Sequence, residues 1–213
     1  MVAAMTLGAL LSTCAPSVSA DTMRSIVTVE SGGDPYAIHD NTSRRAYFPQ
    51  SRAQAQVVLA ELRSHNLDVG ISQVNAGWFP TFGVTATQML EPCRNLRIGS
   101  VILARAYRGA ASRFPEQREA LWHALSAYNT GSLYAGAAYV NEVVAATLSP
   151  PIVPSVALLT RASAPEAAST APVHRRVVPS AATPDVTPLA VYRARHRNER
   201  AAPPVTVAAI HRL

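Results

Sequence analysis

One glutamate, Glu30, lies on the apolar face of a predicted helix. Met23, Ile26 and Val27 recur at the helical period, and Glu30 is the next member of that face. An ionised carboxylate in such surroundings is costly unless a partner compensates. Burial would raise the pKa of Glu30, so that the carboxyl group keeps a proton near neutral pH and acts as a general acid. The alternative is that Glu30, near the helix end, reaches solvent or pairs with Arg24, and periodicity alone does not decide.

Two further polar blocks accompany Glu30-Ser31-Gly32. They are residues 70–75, Gly-Ile-Ser-Gln-Val-Asn, and residues 127–129, Ala-Tyr-Asn, with Gly131 close behind. Each block alone arises often by chance. In this order over about 100 residues they together resemble the signature blocks of the soluble lytic transglycosylases, or goose-lysozyme-like family. The resemblance implies an enzyme that cleaves peptidoglycan.

Additional sequence motifs are similar to those of one branch of that family, the transglycosylases that accompany type IV secretion and conjugation systems. These motifs are Cys14-Ala15-Pro16 followed by Val18, residues 29–38, residues 66–70, and Pro92-Cys93-x-Asn95-Leu96. The resemblance covers residues 12–147. It implies peptidoglycan glycan strands as substrate, a place in the periplasm or cell envelope, and type IV secretion components as partners.

The resemblance also assigns roles to single residues. Glu30 becomes the catalytic acid and base. The residues implied for substrate binding all carry polar side chains that offer donors or acceptors to a sugar: Ser31, Gln73, Asn75, Tyr128 and Asn129. Ser31 is expected to orient Glu30 or the substrate, and Tyr128 to donate a hydrogen bond to the Glu30 carboxyl group. The alternatives are that Tyr128 is a core aromatic residue and that residues 73 and 75 are ordinary polar residues of a loop.

The number of carboxylates bears on the mechanism, since most glycosidases use two. The resemblance supplies only Glu30, and nothing in the sequence places Asp34, Asp40 or Asp68 opposite it. With one carboxylate, we expect Glu30 to protonate the oxygen between N-acetylmuramic acid and N-acetylglucosamine and then to take the proton of the C6 hydroxyl. The product is a 1,6-anhydro end, and no metal or cofactor is required. A hydrolytic lysozyme is the alternative.

The stretch from His39 to Tyr47 departs from many relatives, which have a shorter glycine-containing turn. His39 and Asp40 are adjacent polar residues, but two such groups without a third ligand do not make a metal site. We therefore expect both at the solvated surface.

Apolar periodicity predicts a predominantly α domain of about six helices over residues 14–148, and the resemblance implies that this domain is lysozyme-like. The predicted helices run from Ser19 or Asp21 to Gly32, over residues 51–64, from Pro92 to Tyr107, from Pro115 to Tyr128, and over residues 133–147. Residues 67–75 predict a strand-like or irregular loop, with Gly70 where backbone freedom is needed.

Residues 1–13 form an uncharged apolar run that is too short to span a membrane. It is the first helix of the domain, a signal peptide cleaved after Val18-Ser19-Ala20, or a lipoprotein signal ending at Cys14. No Lys or Arg precedes the run, and Thr13 fits the lipoprotein pattern poorly. An uncleaved first helix is therefore preferred.

The two cysteines, Cys14 and Cys93, lie in no spacing typical of a zinc site. In an exported protein such a pair favours one disulfide that closes a loop of roughly 80 residues. Two buried free thiols are the alternative, and cleavage after Ala20 would leave Cys93 unpaired.

Residues 149–213 hold ten of the 16 prolines, eight of the 19 basic residues and three of the 13 acidic residues. This segment carries about +5 and the rest about +1. Its composition predicts a disordered Pro/Ala/Arg-rich tail. Because no aromatic interleaving or binding module accompanies the charge, nucleic acid is not an expected partner. The alternative to an enzyme is a wall-docking assembly factor whose tail recruits secretion components, and deletion of residues 150–213 would separate the two.

Overall fold

Helices dominate the part of the chain that the computed structural model describes, residues 6–148, which confirms the predicted fold class. The α-helices are α1 (Leu7–Cys14), α2 (Ala20–Ser31), α3 (Arg52–Glu61), α4 (Phe79–Phe82), α5 (Pro92–Ala111), α6 (Gln117–Thr130) and α7 (Ala137–Leu148). The predicted tail, residues 149–213, lies outside the described residues, as do residues 1–5.

Helix α2, which carries Glu30, begins and ends where its sequence predicts. The Ser19 hydroxyl accepts a hydrogen bond from the Thr22 amide at 3.2 Å, and Asp21 adds a negative charge to the first turn. Gly32 ends the helix in the left-handed conformation, with φ of 63°. The apolar face is buried, so the last turn of α2 is held firmly against the core.

Helix α7 begins four residues later than predicted, at Ala137 instead of residue 133. The reason is a set of hydrogen bonds that ties the preceding loop to α6. The Ser126 hydroxyl donates to the carbonyl of Ser132 at 2.7 Å and accepts from the amide of Gly136 at 2.9 Å. These bonds hold residues 132–136 as a loop beside the end of α6.

A four-stranded antiparallel sheet, which the sequence did not predict as a unit, lies beside the helices. Its strands are β1 (Ile38–Asp40), β2 (Arg45–Tyr47), β3 (Leu67–Val69) and β4 (Val74–Asn75), in the order β2-β1-β3-β4. In the register, Ile38 lies opposite Tyr47 and Val69, and Asp68 lies opposite Asn75. Residues 70–73 form the turn between β3 and β4.

The expectation that His39 and Asp40 lie at the solvated surface is wrong. Both are in β1, a central strand, and only 5% of His39 and 0% of Asp40 is exposed. The Asp40 carboxylate accepts hydrogen bonds from the Ser43 hydroxyl and the Thr42 amide and contacts the His65 ring at 2.7 Å. Burial opposes ionisation of Asp40, but these bonds outweigh it and lower the pKa to about 2. Hairpin formation therefore buries these residues with partners.

Two apolar clusters flank α5. One lies among α1, α2, α5, α6 and α7, and the other lies between the sheet, α3 and α5. Tyr128 packs against both clusters. Among residues 6–148, no helix has both the length and the apolar character needed to cross a bilayer.

The predicted disulfide is confirmed, because Cys14 is bonded to Cys93 with their Cα atoms 5.0 Å apart. The bond joins the end of α1 to the first turn of α5. Leu11 of α1 is fully buried in the cluster that also contains Cys14. The segment around residues 7–14 is thus an integral part of the helical core.

Candidate active site

An open cavity of about 440 Å³ lies where the two apolar clusters meet. Its wall is formed by the end of α2, the sheet, α5 and the end of α6: Glu30, Asn41, Asn66, Asp68, Gln73, Val74, Asn75, Trp78, Ile102, and residues 127–131. The cavity brings together residues from all three signature blocks. Of the predicted site residues, only Ser31 does not line it.

Glu30 occupies the last turn of α2, where the helix reaches the cavity. Its side chain lines the cavity, yet only 5% of the residue is exposed. Arg24, the partner suggested by the alternative interpretation, pairs with Asp21 at 2.6 Å. Glu30 therefore combines burial against the core with access to one open cleft, which is the position that a general acid needs.

Tyr128 lies beside Glu30, but its hydroxyl has a different acceptor from the predicted one. It donates to the carbonyl oxygen of Ser72 at 2.8 Å. Because a phenol has one proton, the expected donation to the Glu30 carboxyl group is replaced by this bond to the β3–β4 turn. Burial, and then the negative charge of Glu30, raises the pKa of Tyr128 well above its usual range. Tyr128 stays neutral and joins α6 to the turn.

Ser31 also holds the β3–β4 turn and does not face the cleft. Its buried hydroxyl donates to the carbonyl of Ile71 at 2.7 Å and accepts from the amide of Gly33 at 3.1 Å. Ser31 is not among the residues that line the cavity. Ser31 instead connects the end of α2, and so Glu30, to the turn that carries Gln73.

Gln73 ends this turn with a positive φ of 47°, which is unusual for a residue other than glycine. Its amide nitrogen donates to the carbonyl oxygens of Ala37 and Gly70, both at 2.9 Å. Its Oε1 is buried without a hydrogen-bond partner among the described residues. An acceptor in this state is costly, so Gln73 holds an unused acceptor at the cavity wall.

Asp68 of β3 brings a second carboxyl group to the same cavity. Asn75 donates to its Oδ1 at 2.8 Å, and Asn41 donates to its Oδ2 at 2.9 Å. Burial raises the pKa of Asp68, although these two hydrogen bonds act in the opposite direction. His39 Nδ1 lies 3.9 Å from Oδ2. Of the three aspartates considered from the sequence, Asp34 and Asp40 do not line the cavity.

Asn75 and Asn129 have different settings in the cavity wall. The Asn75 side chain is committed, because its nitrogen also donates to Asn66 and its oxygen accepts from the Gly77 amide, each at 2.9 Å. Asn129 is exposed at the end of α6. A ligand would therefore meet the Asn75 amide on the sheet side and the exposed Asn129 amide on the helix side.

Asn95 is the residue that sequence reasoning missed. It lies in α5 and is fully buried, and in the sequence it stands out only as a member of the motif Pro92-Cys93-x-Asn95-Leu96. Its nitrogen donates to the carbonyls of Val69 at 2.7 Å and Met89 at 2.9 Å, and its oxygen accepts from the Ser72 amide at 2.9 Å. The available signal was an asparagine on the apolar face of a long helix, a position that requires buried partners.

Close approach of α5 explains two glycines of the site. A Cβ at Gly70, where φ is 82°, would clash with the side chain of Asn95 on α5 and would lie 2.5 Å from the carbonyl oxygen of Met89, just before α5. A Cβ at Gly99 would lie 2.5 Å from the Ser72 hydroxyl and 3.1 Å from that of Tyr128. Only glycine leaves room for α5 to contact the turn directly.

No group of three or more His, Cys, Asp or Glu side chains within residues 6–148 is arranged to hold a metal ion. The chemistry available in this cavity is that of carboxyl groups, amides and a neutral phenol. These groups suit proton transfer to and from an uncharged, hydroxyl-rich ligand.

Comparison with known proteins gives one family. Residues 11–143 match the family described as the transglycosylase SLT domain. Protein virB1 of Agrobacterium fabrum is 42% identical over 145 residues, which are 65% of this chain and 59% of that protein. Type IV secretion system protein virB1 of Brucella abortus biovar 1 is 38% identical over 176 residues, and that of Brucella suis biovar 1 is 37% identical over 174. Each Brucella match covers 76% of this chain and 73% of the relative.

The chain thus spans 59% of the length of the Agrobacterium protein that it matches. No solved structure gives a significant match. The family match contains Glu30, Gln73 and Tyr128, which the fold brings to one cavity. The predicted resemblance is confirmed, and this chain belongs to the transglycosylase SLT domain family.

Proposed function

We propose that this protein is a peptidoglycan lytic transglycosylase that cleaves the bond between N-acetylmuramic acid and N-acetylglucosamine. The observation that carries the proposal is the position of Glu30, a buried carboxyl group at the end of α2 that opens only to a cleft rich in amides. Membership of the transglycosylase family supports the same type of reaction.

The reaction begins with transfer of a proton from Glu30 to the glycosidic oxygen, so that the bond from this oxygen to C1 of the muramic sugar breaks. The N-acetyl group of the same sugar stabilises the cationic C1. The ionised Glu30 then takes the proton of the C6 hydroxyl, and O6 forms a bond to C1. Glu30 regains its proton, the product has a 1,6-anhydro end, and no water is consumed.

The other cavity residues bind and orient the glycan. Gln73 offers its unused Oε1 as an acceptor for a sugar hydroxyl or N-acetyl N–H. Asn129 offers an accessible amide at the end of α6. Tyr128 stays protonated, because burial and the charge of Glu30 both raise its pKa, and it holds the turn that carries Gln73. Ser31 couples the same turn to α2.

The cellular role follows from the relatives named as type IV secretion system proteins. In this proposal the protein acts in the periplasm and opens the wall locally for a type IV secretion or conjugation apparatus. The segment around residues 7–14 stays in the mature protein, since its removal would take Leu11 and Cys14 from the core. The basic tail contacts components of that apparatus.

Asp68 favours a second candidate, a hydrolytic lysozyme. Most glycosidases use two carboxyl groups in one cleft, one as the acid and the other as the base or nucleophile. Asp68 lines the cavity with Glu30 and is oriented by two asparagines. A hydrolase adds water across the glycosidic bond, so that its products have reducing ends.

Substitution Glu30→Gln tests the proposed catalytic group. Glutamine keeps the shape of the side chain but cannot exchange the proton, so release of soluble fragments from purified sacculi should fall by at least about a hundredfold. The matched control is Glu61→Gln, an exposed glutamate at the end of α3, which should cleave at the wild-type rate. Circular dichroism and thermal unfolding check the fold. Full activity of Glu30→Gln would remove this mechanism.

A further inference from the structure

Trp78 is an aromatic residue of the cavity wall to which the proposed reaction assigns no task. It is the last residue of a 3₁₀ turn, Ala76–Trp78, that directly follows β4, and its ring is partly exposed to the cavity. A partly exposed indole in a cleft for glycans offers a flat apolar surface. The C–H groups of a pyranose ring can pack on such a surface.

The ring of Trp78 is held from several directions. The Asn75 side chain accepts a hydrogen bond from the Gly77 amide at 2.9 Å and so starts the 3₁₀ turn. Phe82 packs beside the indole with ring centroids 6.3 Å apart and planes tilted by 49°. A ring that is fixed before the ligand arrives loses little conformational entropy on binding.

Arg105 covers one side of this ring. Its guanidinium carbon lies 5.7 Å from the centre of the indole, within the range of a cation–π contact. Arg105 is an exposed residue of α5, one turn beyond Ile102, which lines the same cavity. Within residues 6–148, no carboxylate lies at ion-pairing distance from Arg105. A positive charge thus lies beside the Trp78 ring.

A guanidinium in a cation–π contact still has N–H groups available for a ligand. These groups form a rigid fork that matches the two oxygens of a carboxylate. A ligand that has both a pyranose ring and a carboxylate can therefore use the indole and the fork at once. A neutral sugar can use only the indole.

We propose that Trp78 and Arg105 form a subsite for an acidic amino sugar. The sugar ring packs on the exposed part of the Trp78 ring, and Arg105 beside it binds a carboxylate carried by a substituent of that sugar. This inference rests on the proposed function, since it concerns the glycan in the same cleft. It adds a basis for preferring carboxylate-bearing strands over neutral ones.

The two tryptophans of the chain allow a direct test, because Trp122 can be removed to leave Trp78 as the only indole. The test protein is the full chain with Glu30→Gln and Trp122→Phe. It is titrated with neutral N-acetylglucosamine tetramers and with uncleaved glycan fragments that carry muramic carboxylates. Trp78 emission should change with both ligands, and the acidic fragment should bind about tenfold more tightly, the effect of one charge-assisted contact.

Addition of Arg105→Gln should remove the preference for the acidic fragment while the neutral tetramer still changes Trp78 emission. The matched control is Arg108→Gln, an exposed arginine of the same helix that is not the cation over the Trp78 ring, and it should keep the preference. Calorimetry measures binding independently of fluorescence.

Two results would overturn the subsite. One is binding detected by calorimetry with no change in Trp78 emission, and the other is an undiminished preference in Arg105→Gln. If wild-type protein still cleaves sacculi in parallel assays, only the subsite fails. A wild-type protein that neither binds nor cleaves glycan would contradict the proposed function itself, together with the subsite.

Discussion

At the scale of single residues, the β3–β4 turn owes its shape to side chains from three helices. Ser31 of α2 donates to the carbonyl of Ile71, and Tyr128 of α6 donates to that of Ser72. Asn95 of α5 accepts from the Ser72 amide. Buried backbone groups of a turn need such partners because they have no water. Ser31 and Asn95, which help to position Gln73, are therefore distinct from the residues that line the cleft, whereas Tyr128 does both.

Asn95→Leu should be one of the most destabilising substitutions in the domain. Leucine has a similar size, but it leaves the Ser72 amide and the carbonyls of Val69 and Met89 buried without their partner. At about 1–3 kcal/mol for each group, the free energy of unfolding should fall by at least about 3 kcal/mol. Urea unfolding of the purified protein measures the change.

The matched control for this substitution is Gln56→Leu, an exposed amide on α3. It should change the unfolding free energy by less than about 0.5 kcal/mol. Equal stability of Asn95→Leu and wild type would show that the turn does not depend on this side chain.

The sequence predicts the candidate catalytic residue better than it predicts the residues that position the site. Glu30 stands out because it is a carboxylate on an apolar face at the helical period. The acceptor of Tyr128 could not be predicted, since Ser72 lies 56 residues away in the chain. Asp68 was one of three equivalent candidates until the sheet register placed it across from Asn75.

At the scale of elements, the helices follow from local signals and the sheet does not. Ser19 and Ser51 cap α2 and α3 through side-chain hydrogen bonds, as their residue type favours. Glu91 caps α5 in the same way, although glutamate is not a preferred N-cap residue. The strands have two or three residues each, too few for an alternating pattern to be recognised. Their pairing depends on contacts that are distant in sequence.

The disulfide is the covalent link between the first helix and the rest of the domain. Its loop spans a sequence separation of 79 residues. On the chain-entropy model, loss of the bond lowers the free energy of unfolding by about 4 kcal/mol. The double substitution Cys14→Ser with Cys93→Ser, and reduction of the wild type, should both produce this loss in urea unfolding.

Reductant should leave the stability of the double serine variant unchanged, which serves as the control. A variant as stable as the oxidised wild type would mean that α1 is held by apolar contacts alone. In that case Leu11 and its neighbours would account for the docking of the helix.

At the scale of the whole molecule, the cavity forms where the two apolar clusters meet. Glu30 is on α2, beside the cluster of helices, and Asp68 is on β3, beside the cluster that includes the sheet. Helix α5 and Tyr128 contact both clusters. This arrangement leaves an open cleft between two rigid walls, a common location for ligand sites. The composition of residues 149–213 separates the tail from this unit already in the sequence.

The central claim is that Glu30 cleaves glycan strands without adding water. Mass spectrometry of the fragments released from purified sacculi in ¹⁸O-labelled water tests it most directly. The proposed reaction predicts 1,6-anhydromuramic ends, one water lighter than reducing ends and free of ¹⁸O, with none formed by Glu30→Gln. Reducing ends that contain ¹⁸O would contradict it and would indicate hydrolysis.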